Sequence, residues 1–334
     1  MTAGDRRAER PGHEPVMVTE VLGYLEPHRG GRFLDLTVGA GGHARAILKC
    51  IGPSGLFVGV DRDGETLRTT ADGLRKEFPH ARFIQANFCE IDELSRHLGS
   101  ITFHGLLLDL GLSSEQLDDE ERGFSFLRPG PMDMRMDRTE GVTAGELLER
   151  WSADELARVI REYGEERHAR RIARAIVRER RVGRIADTGR LAALIERVVP
   201  SRRGRIHPAT RTFQALRMAV NDELGSLRSF LARFPRLLDP QGVIVVISYE
   251  SLTDRLVKQA FRQGAREGWL EVLTSKPVRP TSEEIERNRR ARSAKLRSAR
   301  LLHRPETSGE TDDAASSTRH HHGAAGGSGG LPGL

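Results

Sequence analysis

A glycine-rich turn carries the clearest chemical signal in this sequence. Residues 35–43 (DLTVGAGGH) follow a short apolar run, and Asp61 ends the next apolar run about twenty residues later, the spacing typical of an adenosine site. Glycine lets the backbone approach a ligand closely, and a carboxylate at the end of the second strand can accept hydrogen bonds from both ribose hydroxyls. The two features together predict a site for an adenosine-containing ligand.

The turn alone does not decide which adenosine ligand binds. It reads G-x-G-G-H, whereas dinucleotide sites read G-x-G-x-x-G and place a pyrophosphate on a helix N-terminus. S-adenosylmethionine has no phosphate and needs a site for its charged amino acid end, and Asp35 is a candidate to meet the ammonium group. The pattern favours a methyltransferase. A nicotinamide dehydrogenase remains an alternative at this point.

A second polar cluster follows another apolar run. Residues 109–116 (DLGLSSEQ) are predicted to lie at the carboxyl edge of the sheet, next to the first strand, where open parallel sheets bind ligands. Asp109 could hold the protons of an amine nucleophile or bind the cofactor. In-line placement of nitrogen, methyl carbon and sulfur is the main requirement, and such positioning lowers a barrier by ~7 to 11 kcal/mol.

The elements that position these residues alternate between strand and helix patterns. Helical patterns at 43–50 and 66–78 separate short apolar runs, so the fold class is α/β with parallel strands. The predicted strands are 32–37, 55–61, 82–86, 105–109 and, much later, 242–248.

A long segment between the fourth and fifth strands reads as helix. Ser152 and Glu155 form a capping-box pattern at the start of one helix, and further helices are expected at 166–181 and 188–198. We therefore expect a methyltransferase-type domain of residues 1–112 and 206–304, a mostly helical inserted domain of residues 113–205, and a disordered tail of residues 305–334.

Composition narrows the class of protein further. The longest apolar run, 243–247, is too short to cross a membrane, and the two cysteines form no C-x-x-C pair, so we expect a cytoplasmic protein with no metal site. We expect no role for the three histidines at 320–322, which fall in the solvated tail. The net charge of +6 comes mostly from arginine, which suits nucleic acid but is equally consistent with a GC-rich genome.

Several blocks of the sequence match one family. From about residue 13 to residue 301 the chain resembles the bacterial ribosomal RNA cytosine-N4 methyltransferases, which act on the decoding region of the small subunit. The matching blocks are 13–17 (HEPVM), 39–43 (GAGGH), 59–63 (GVDRD), 108–118 (LDLGLSSEQLD), 122–126 (RGFSF), 131–137 (PMDMRMD), 163–167 (YGEER), 171–176 (RIARAI) and 207–217 (HPATRTFQALR).

The resemblance implies a fold, a reaction and a set of site residues. The fold would be a Rossmann-like class I methyltransferase sheet with a helical insert, and the reaction would methylate the N4 amine of a cytidine in 16S rRNA of the small subunit, with S-adenosylmethionine as the cofactor. Asp109 would be catalytic. The implied cofactor contacts are Gly41, Gly42, His43, Asp61, Phe88, Asp109 and Gln116.

One block departs from the family pattern I-S-F-H-S-L-E-D-R. Residues 247–255 read ISYESLTDR, so Tyr249 keeps an aromatic ring while Glu250 replaces an imidazole with an acid. A histidine contact to RNA or cytosine is therefore not expected here. Neither Asp109 nor a cofactor position changes, so we expect catalysis to be retained.

Arginines are the candidates for RNA contact. They are Arg135, the insert residues Arg170, Arg174 and Arg178, and the basic stretch 287–300 (RNRRARSAKLRSAR). Phosphate contacts of this kind set affinity and salt dependence without reading the sequence, and we expect no more than half of these side chains to contact RNA. Both a monomer and a homodimer are compatible with the sequence.

The sequence argues against two other functions. A DNA amino methyltransferase would carry a D/N/S-P-P-aromatic motif after the fourth strand, but Asp109 is followed by Leu110 and Gly111. A ribosome assembly factor would tolerate a degenerate cofactor site, whereas Gly41, Gly42 and Asp61 are intact here.

Overall fold

The computed structural model describes residues 15–99, 101–199 and 207–305. The predicted tail falls outside the described residues except for Pro305, and so do the three histidines at 320–322. Residues 13 and 14, which begin the first family block, are also outside them.

A mixed sheet forms the centre of the described chain and confirms the predicted α/β class. Its seven strands lie in the order β3-β2-β1-β4-β5-β7-β6, with β1 to β5 parallel and β7 antiparallel to both of its neighbours. The strands are β1 (Arg32–Asp35), β2 (Leu56–Asp61), β3 (Arg82–Gln85), β4 (Phe103–Leu110), β5 (Leu238–Ser248), β6 (Leu270–Val272) and β7 (Lys295–Leu301).

Helices flank the sheet and fill the insert. The helices of the described residues are α1 (Val18–Leu25), α2 (Gly42–Ile51), α3 (Gly64–Glu77), α4 (Ile91–Leu98), α5 (Ser114–Asp118), α6 (Ala144–Arg150), α7 (Ala153–Glu162), α8 (Ala169–Val182), α9 (Thr188–Val198), α10 (Thr210–Val220), α11 (Glu223–Arg233), α12 (Ser251–Arg266) and α13 (Ser282–Arg287). Short 3₁₀ turns occupy Glu120–Arg122, Phe234–Arg236 and Arg289–Ser293.

Apolar side chains cover both faces of the central strands. In β2, Phe57 packs on the face covered by α1 and α2, while Val58 packs on the face covered by α4, α11 and α12. In β4, Leu107 lies on the same face as Phe57, and Leu106 lies on the same face as Val58. Burial on both faces explains why these strands read as continuous apolar runs in the sequence.

The insert has a hydrophobic core of its own. Side chains of α6 to α9 form this cluster, which also includes Ala209, Phe213 and Leu216 next to or within α10. The capping box at the start of α7 is confirmed, because Ser152 Oγ accepts from the backbone N–H of Glu155 at 3.2 Å and the Glu155 carboxylate accepts from that of Ser152 at 2.7 Å. The described residues up to Arg304 form one compact unit. The predicted domain boundaries stay a prediction.

The basic stretch 287–300 has a structural role that its sequence did not suggest. Residues 295–301 form β7, which hydrogen-bonds to β5 and β6. Arg297 is buried and pairs with Asp254 at 2.7 Å, and Arg300 pairs with Glu271 at 2.7 Å. Arg297 is therefore not among the side chains of this stretch that are available to RNA, because its charge is neutralised inside the fold.

Candidate functional site

A cavity of about 330 Å³ lies at the carboxyl ends of β1, β2, β4 and β5. This is the edge where open parallel sheets bind ligands. All the predicted cofactor residues line it, namely Gly41, Gly42, His43, Asp61, Phe88, Asp109 and Gln116. The predicted RNA contacts Arg135, Arg170, Arg174 and Arg178 do not line this cavity.

The glycine turn is packed too closely to admit side chains. Gly41 has a left-handed backbone with φ of 80°, and a Cβ there would lie 2.6 Å from Cγ2 of Thr70. A Cβ on Gly42 would lie 2.6 Å from the ring of Pro15. Glycine is therefore required where the chain turns from β1 into α2, because Thr70 and Pro15 leave no room for a Cβ.

The Asp61 carboxylate is held by the turn that it faces. Its Oδ2 accepts from the backbone N–H of Gly39 at 2.8 Å, and its Oδ1 accepts from that of Asp63 at 2.9 Å. Burial raises the pKa of Asp61 to about 6, while these two backbone hydrogen bonds act in the opposite direction. Each oxygen has a second lone pair, so the carboxylate can still accept from two ribose hydroxyls.

Asp35 lies beneath the cavity wall rather than in it. The residue is 1% exposed, and its Oδ2 atom has no hydrogen-bond partner among the described residues. Burial raises the pKa of Asp35 to about 8, and the carboxylates of Asp109 and Asp61 add to this effect. A neutral, enclosed acid is a poor partner for an ammonium group, so the structure does not support that role for Asp35.

The backbone holds His43 beside Asp109. Its Nε2 lies 2.9 Å from the carbonyl oxygen of Val16, and because a carbonyl only accepts, this nitrogen donates. The other nitrogen, Nδ1, lies 3.8 Å from Oδ2 of Asp109, too far for a hydrogen bond. The His43 ring therefore lies next to the Asp109 carboxylate without a hydrogen bond to it.

Asp109 lies one residue before the end of β4 and is fixed from two sides. Its backbone N–H donates to Oγ1 of Thr37, which follows the neighbouring strand β1, at 2.6 Å. Its Oδ1 accepts from the hydroxyl of Tyr249 at 3.0 Å. The carboxylate thus has a defined orientation at the centre of the sheet edge.

Gln116 has a structural task besides lining the cavity. Its Oε1 accepts from the backbone N–H of Ser113 at 3.0 Å, completing the capping box of α5, and its Nε2 donates to Asp63 Oδ2 at 2.8 Å. These bonds attach α5 to the N-terminus of α3. A contact of Gln116 to the methionine end of the cofactor stays a prediction.

A buried ion pair fastens the insert to this edge of the sheet. Arg122 Nη1 lies 2.8 Å from Asp63 Oδ2, and both side chains are almost fully buried. Although burial favours the neutral acid, the hydrogen bond from Gln116 and the charge of Arg122 hold the pKa of Asp63 below its usual range. Arg122 also donates to the carbonyl oxygens of Arg135 and Met136. The loop that follows β4 is thereby fixed against the cavity.

Phe88 lines the cavity on the side of β3. Its ring meets that of Phe230 edge to face, with centroids 5.7 Å apart and an interplanar angle of 89°. The packing leaves Phe88 only partly buried, so one part of the ring can contact a flat ligand.

Several residues that line the cavity were not predicted from the sequence, and four of them form or adjoin a polar cluster. They are Arg217 at the end of α10, Glu223 at the start of α11, and Tyr249 and Glu250 after β5. Arg217 pairs with Glu223 through Nε and Nη2 at 2.7 and 2.8 Å, and with Glu250 through Nη2 at 2.9 Å. The difference from the family pattern at residues 249–250 could have indicated this cluster, but no local feature of the sequence connects these residues with Arg217.

The charges of this triad are coupled. Burial opposes the charge on Arg217, but the two carboxylates outweigh it and raise the pKa of Arg217. Burial raises the pKa of Glu223, which Arg217 partly counteracts. The triad therefore holds one positive and two acidic groups in the wall of the cavity.

The predicted RNA contacts differ in their availability. Arg135 is occupied by Asp133, whose two oxygens accept from it at 2.7 and 3.1 Å. Arg170, Arg174 and Arg178 are exposed on α8, and their side chains form no ion pair or hydrogen bond with another described residue. Their side chains are available to phosphates, although contact with RNA stays a prediction.

The described residues contain neither a membrane-spanning helix nor a cluster of side chains suited to a metal ion. None of their helices combines the length and the apolar character that a membrane crossing requires. Within residues 15–99, 101–199 and 207–305, no group of three or more histidine, cysteine or acidic residues is arranged to hold a metal ion.

Comparison with known proteins gives consistent matches. The model of the MraW methylase family matches residues 10–302. A protein of Thermomicrobium roseum named ribosomal RNA small subunit methyltransferase H is 47% identical over 309 residues, covering 87% of this chain and 94% of that protein. A protein of the same name from Cyanothece sp. is 48% identical over 290 residues, covering 87% and 95%.

Solved structures match more loosely. The rRNA methylase of Streptococcus thermophilus superposes with a TM-score of 0.41 at 8% identity, covering 89% of this chain and 99% of that one. A match at this level carries no argument about function.

Proposed function

Because this chain belongs to the MraW methylase family, we propose that it transfers a methyl group from S-adenosylmethionine to the N4 amine of a cytidine in the decoding region of 16S rRNA. One observation carries the proposal most strongly. The glycine turn, Asp61, Phe88 and Asp109, which are far apart in the sequence, line one cavity at the carboxyl edge of the sheet. The name shared by relatives at 43–48% identity supports the rRNA substrate.

The cavity fits the cofactor. The backbone of the glycine turn at Gly41 and Gly42 lines the cavity, Asp61 keeps lone pairs for the ribose hydroxyls, and Phe88 offers a ring for the adenine. The volume of about 330 Å³ lies within the ~300 to 1,000 Å³ of typical ligand sites. When bound, S-adenosylmethionine supplies a methyl group made electrophilic by the sulfonium.

Asp109 is the residue proposed to act on the nucleophile. The N4 amine of cytosine is conjugated with the ring, so its lone pair must be turned out of the ring plane. A carboxylate that accepts one N4 proton can hold the amine in that orientation. As the amine becomes more acidic, Asp109 can take that proton and release it to solvent, so a strong base is not required.

The substrate side of the proposal rests on the insert. Arg170, Arg174 and Arg178 of α8 have exposed side chains without an ion pair among the described residues, so the insert of residues 113–205 is proposed to contact phosphates of the RNA. The target base must leave its stack, at a cost of a few kcal/mol unless the RNA already exposes it. We further propose that the substrate is the small subunit in the cytoplasm.

Deleting the gene tests the function in cells. Ribosomal RNA from the deletion strain, digested to nucleosides, should lack N4-methylated cytidine by mass spectrometry, and the intact gene should restore it. An Asp109→Asn variant should restore little or none. An unchanged spectrum in the deletion strain would refute the assignment. Restored subunit maturation without methylation, seen with Asp109→Asn, would indicate an additional assembly role.

A further inference from the structure

The hydroxyl of Tyr249 contacts the carboxylate to which catalysis is assigned. Asp109 pairs with Ile247 across β4 and β5, so the residue that follows β5 by one position, Tyr249, comes to lie beside it. The Tyr249 hydroxyl donates to Asp109 Oδ1 at 3.0 Å, with good hydrogen-bond length. A phenylalanine at this position, as in the family pattern, would leave that bond unmade.

The ring of Tyr249 is held in place by its packing. A Cβ on Gly111 would lie 3.1 and 3.2 Å from two ring atoms of Tyr249, so the absence of a side chain there admits the ring against the loop after β4. The ring also packs on the apolar cluster that includes Ile247 and Leu296. The hydroxyl is therefore directed at Asp109 by a side chain with little freedom to move.

The hydroxyl can only act as a neutral donor here. Burial raises the pKa of Tyr249 well above its usual value, and the negative charge of Asp109 acts in the same direction. Tyr249 thus keeps its proton throughout the pH range in which enzymes work. Titratable groups that face this pair include His43 of α2, Asp35 of β1, Glu250 before α12 and Glu284 of α13.

We propose that Tyr249 is a positioning residue for the methyl transfer, whose hydroxyl fixes the orientation of the Asp109 carboxylate and stabilises its ionised form. The inference rests on the proposed function. In that reaction the N4–carbon bond forms, the carbon–sulfur bond breaks with its electron pair staying on sulfur, and one N4 proton leaves through Asp109. A donated hydrogen bond favours the carboxylate over the acid, so Asp109 remains an acceptor at lower pH than it would alone.

Tyr249→Phe is the matched variant, because it removes only the hydroxyl. Single-turnover methylation of unmethylated small subunits, measured from pH 5 to pH 9, should fall by about 3- to 10-fold at the plateau, the worth of one such hydrogen bond. The acid limb of the rate profile should move to higher pH by about one pH unit. Affinity for S-adenosylmethionine and the unfolding midpoint should change little. Tyr24→Phe, a hydroxyl removed from α1 outside the cavity, should leave rate and profile unchanged.

A second readout does not depend on activity. In protein labelled with ¹³C-aspartate, the Asp109 carboxyl signal, assigned with Asp109→Asn, should titrate at higher pH in Tyr249→Phe than in the parent protein. An unchanged Asp109 titration, or a variant with the parent rate and acid limb, would overturn the inference. Failure of the parent protein to methylate, with the Asp109 shift present, would count against the proposed function and leave the Tyr249–Asp109 coupling supported.

Discussion

Arg217 and Glu250 form an ion pair in the wall of the cavity, with Nη2 of the arginine 2.9 Å from Oε1 of the glutamate. Both side chains are close to nine-tenths buried, and Glu223 holds the same guanidinium from the other side. The pair joins the end of α10 to the start of α12, so it connects the segment after the insert with the end of β5. An acid at position 250 is therefore compensated by charge, although it replaces the histidine of the family pattern.

Removing the cation of this triad should destabilise the fold strongly. Arg217→Met keeps an unbranched apolar stem but leaves two buried carboxylates without a partner, so the free energy of unfolding in urea should fall by about 3 to 5 kcal/mol. Arg158→Met is the control, because Arg158 is exposed and its pair with Glu162 is worth at most about 1 kcal/mol.

A triple variant separates charge from packing in the same site. Arg217→Met combined with Glu223→Gln and Glu250→Gln leaves no unpaired charge, so most of the lost stability should return. If the triple variant is as unstable as Arg217→Met, the loss comes from packing and the electrostatic explanation is wrong.

Asp35→Asn should stabilise the protein, and more so at higher pH. The folded pKa of about 8 lies above the ordinary value of 3.8, so between about pH 4 and pH 8 the folded state keeps a proton that the unfolded state has lost. The free energy of unfolding therefore falls as pH rises through this window, and asparagine removes that dependence. The Tm advantage of the variant should grow from pH 5 to pH 8.

Asp154→Asn, on an exposed position of α7, serves as the control for this titration. Its Tm difference from the parent protein should stay constant over the same range. A constant difference for Asp35→Asn as well would show that Asp35 is ionised in the folded protein.

Cofactor affinity should fall on the acid side of neutrality because Asp61 takes up a proton. With a pKa of about 6, the carboxylate is mostly ionised at pH 7.5 and mostly protonated at pH 5.5, where it loses capacity to accept from the ribose. Calorimetry should give a weaker Kd for S-adenosylmethionine at pH 5.5. Asp61→Asn should bind more weakly at pH 7.5 and vary less with pH, while an equal affinity at pH 7.5 would reject the ribose role.

The arginines of α8 should contribute to the salt dependence of RNA binding. In Arg170→Ala/Arg174→Ala/Arg178→Ala, each lost phosphate contact should reduce the slope of log K against log salt by about 0.7 to 0.9. Affinity for S-adenosylmethionine should not change. The control replaces Arg150, Arg158 and Arg190, which are also exposed but paired with glutamates. Equal slopes in the two triple variants would remove α8 from the RNA surface.

The sequence predicted those parts of the structure that depend on local patterns. Apolar runs located β1, β2 and β4, Ser152 and Glu155 located the start of α7, and the glycine turn with Asp61 located the cavity. Strand periodicity and helix capping depend on residues close together in the sequence, so local patterns are enough to predict them.

The rest depended on contacts between distant residues. Strand β7 contains two arginines that read as surface. Arg297 is buried there with Asp254 as its partner, while Arg300 pairs with Glu271 closer to solvent. The Arg217–Glu250 pair joins residues 33 positions apart, and the burial of Asp35 follows from packing of the whole edge. Ion pairs between residues far apart in the sequence produce no periodic pattern along the chain, so they could not be predicted from it.

The most direct measurement of the central claim supplies the methyl group with an isotopic label. Purified protein is incubated with S-adenosylmethionine carrying a trideuterated methyl group and with small subunits from a strain that lacks the gene, and the rRNA is digested and analysed by mass spectrometry. The account predicts N4-trideuteromethylcytidine with the parent protein and almost none with Asp109→Asn. A folded protein that binds the subunits but leaves every cytidine unlabelled would contradict it.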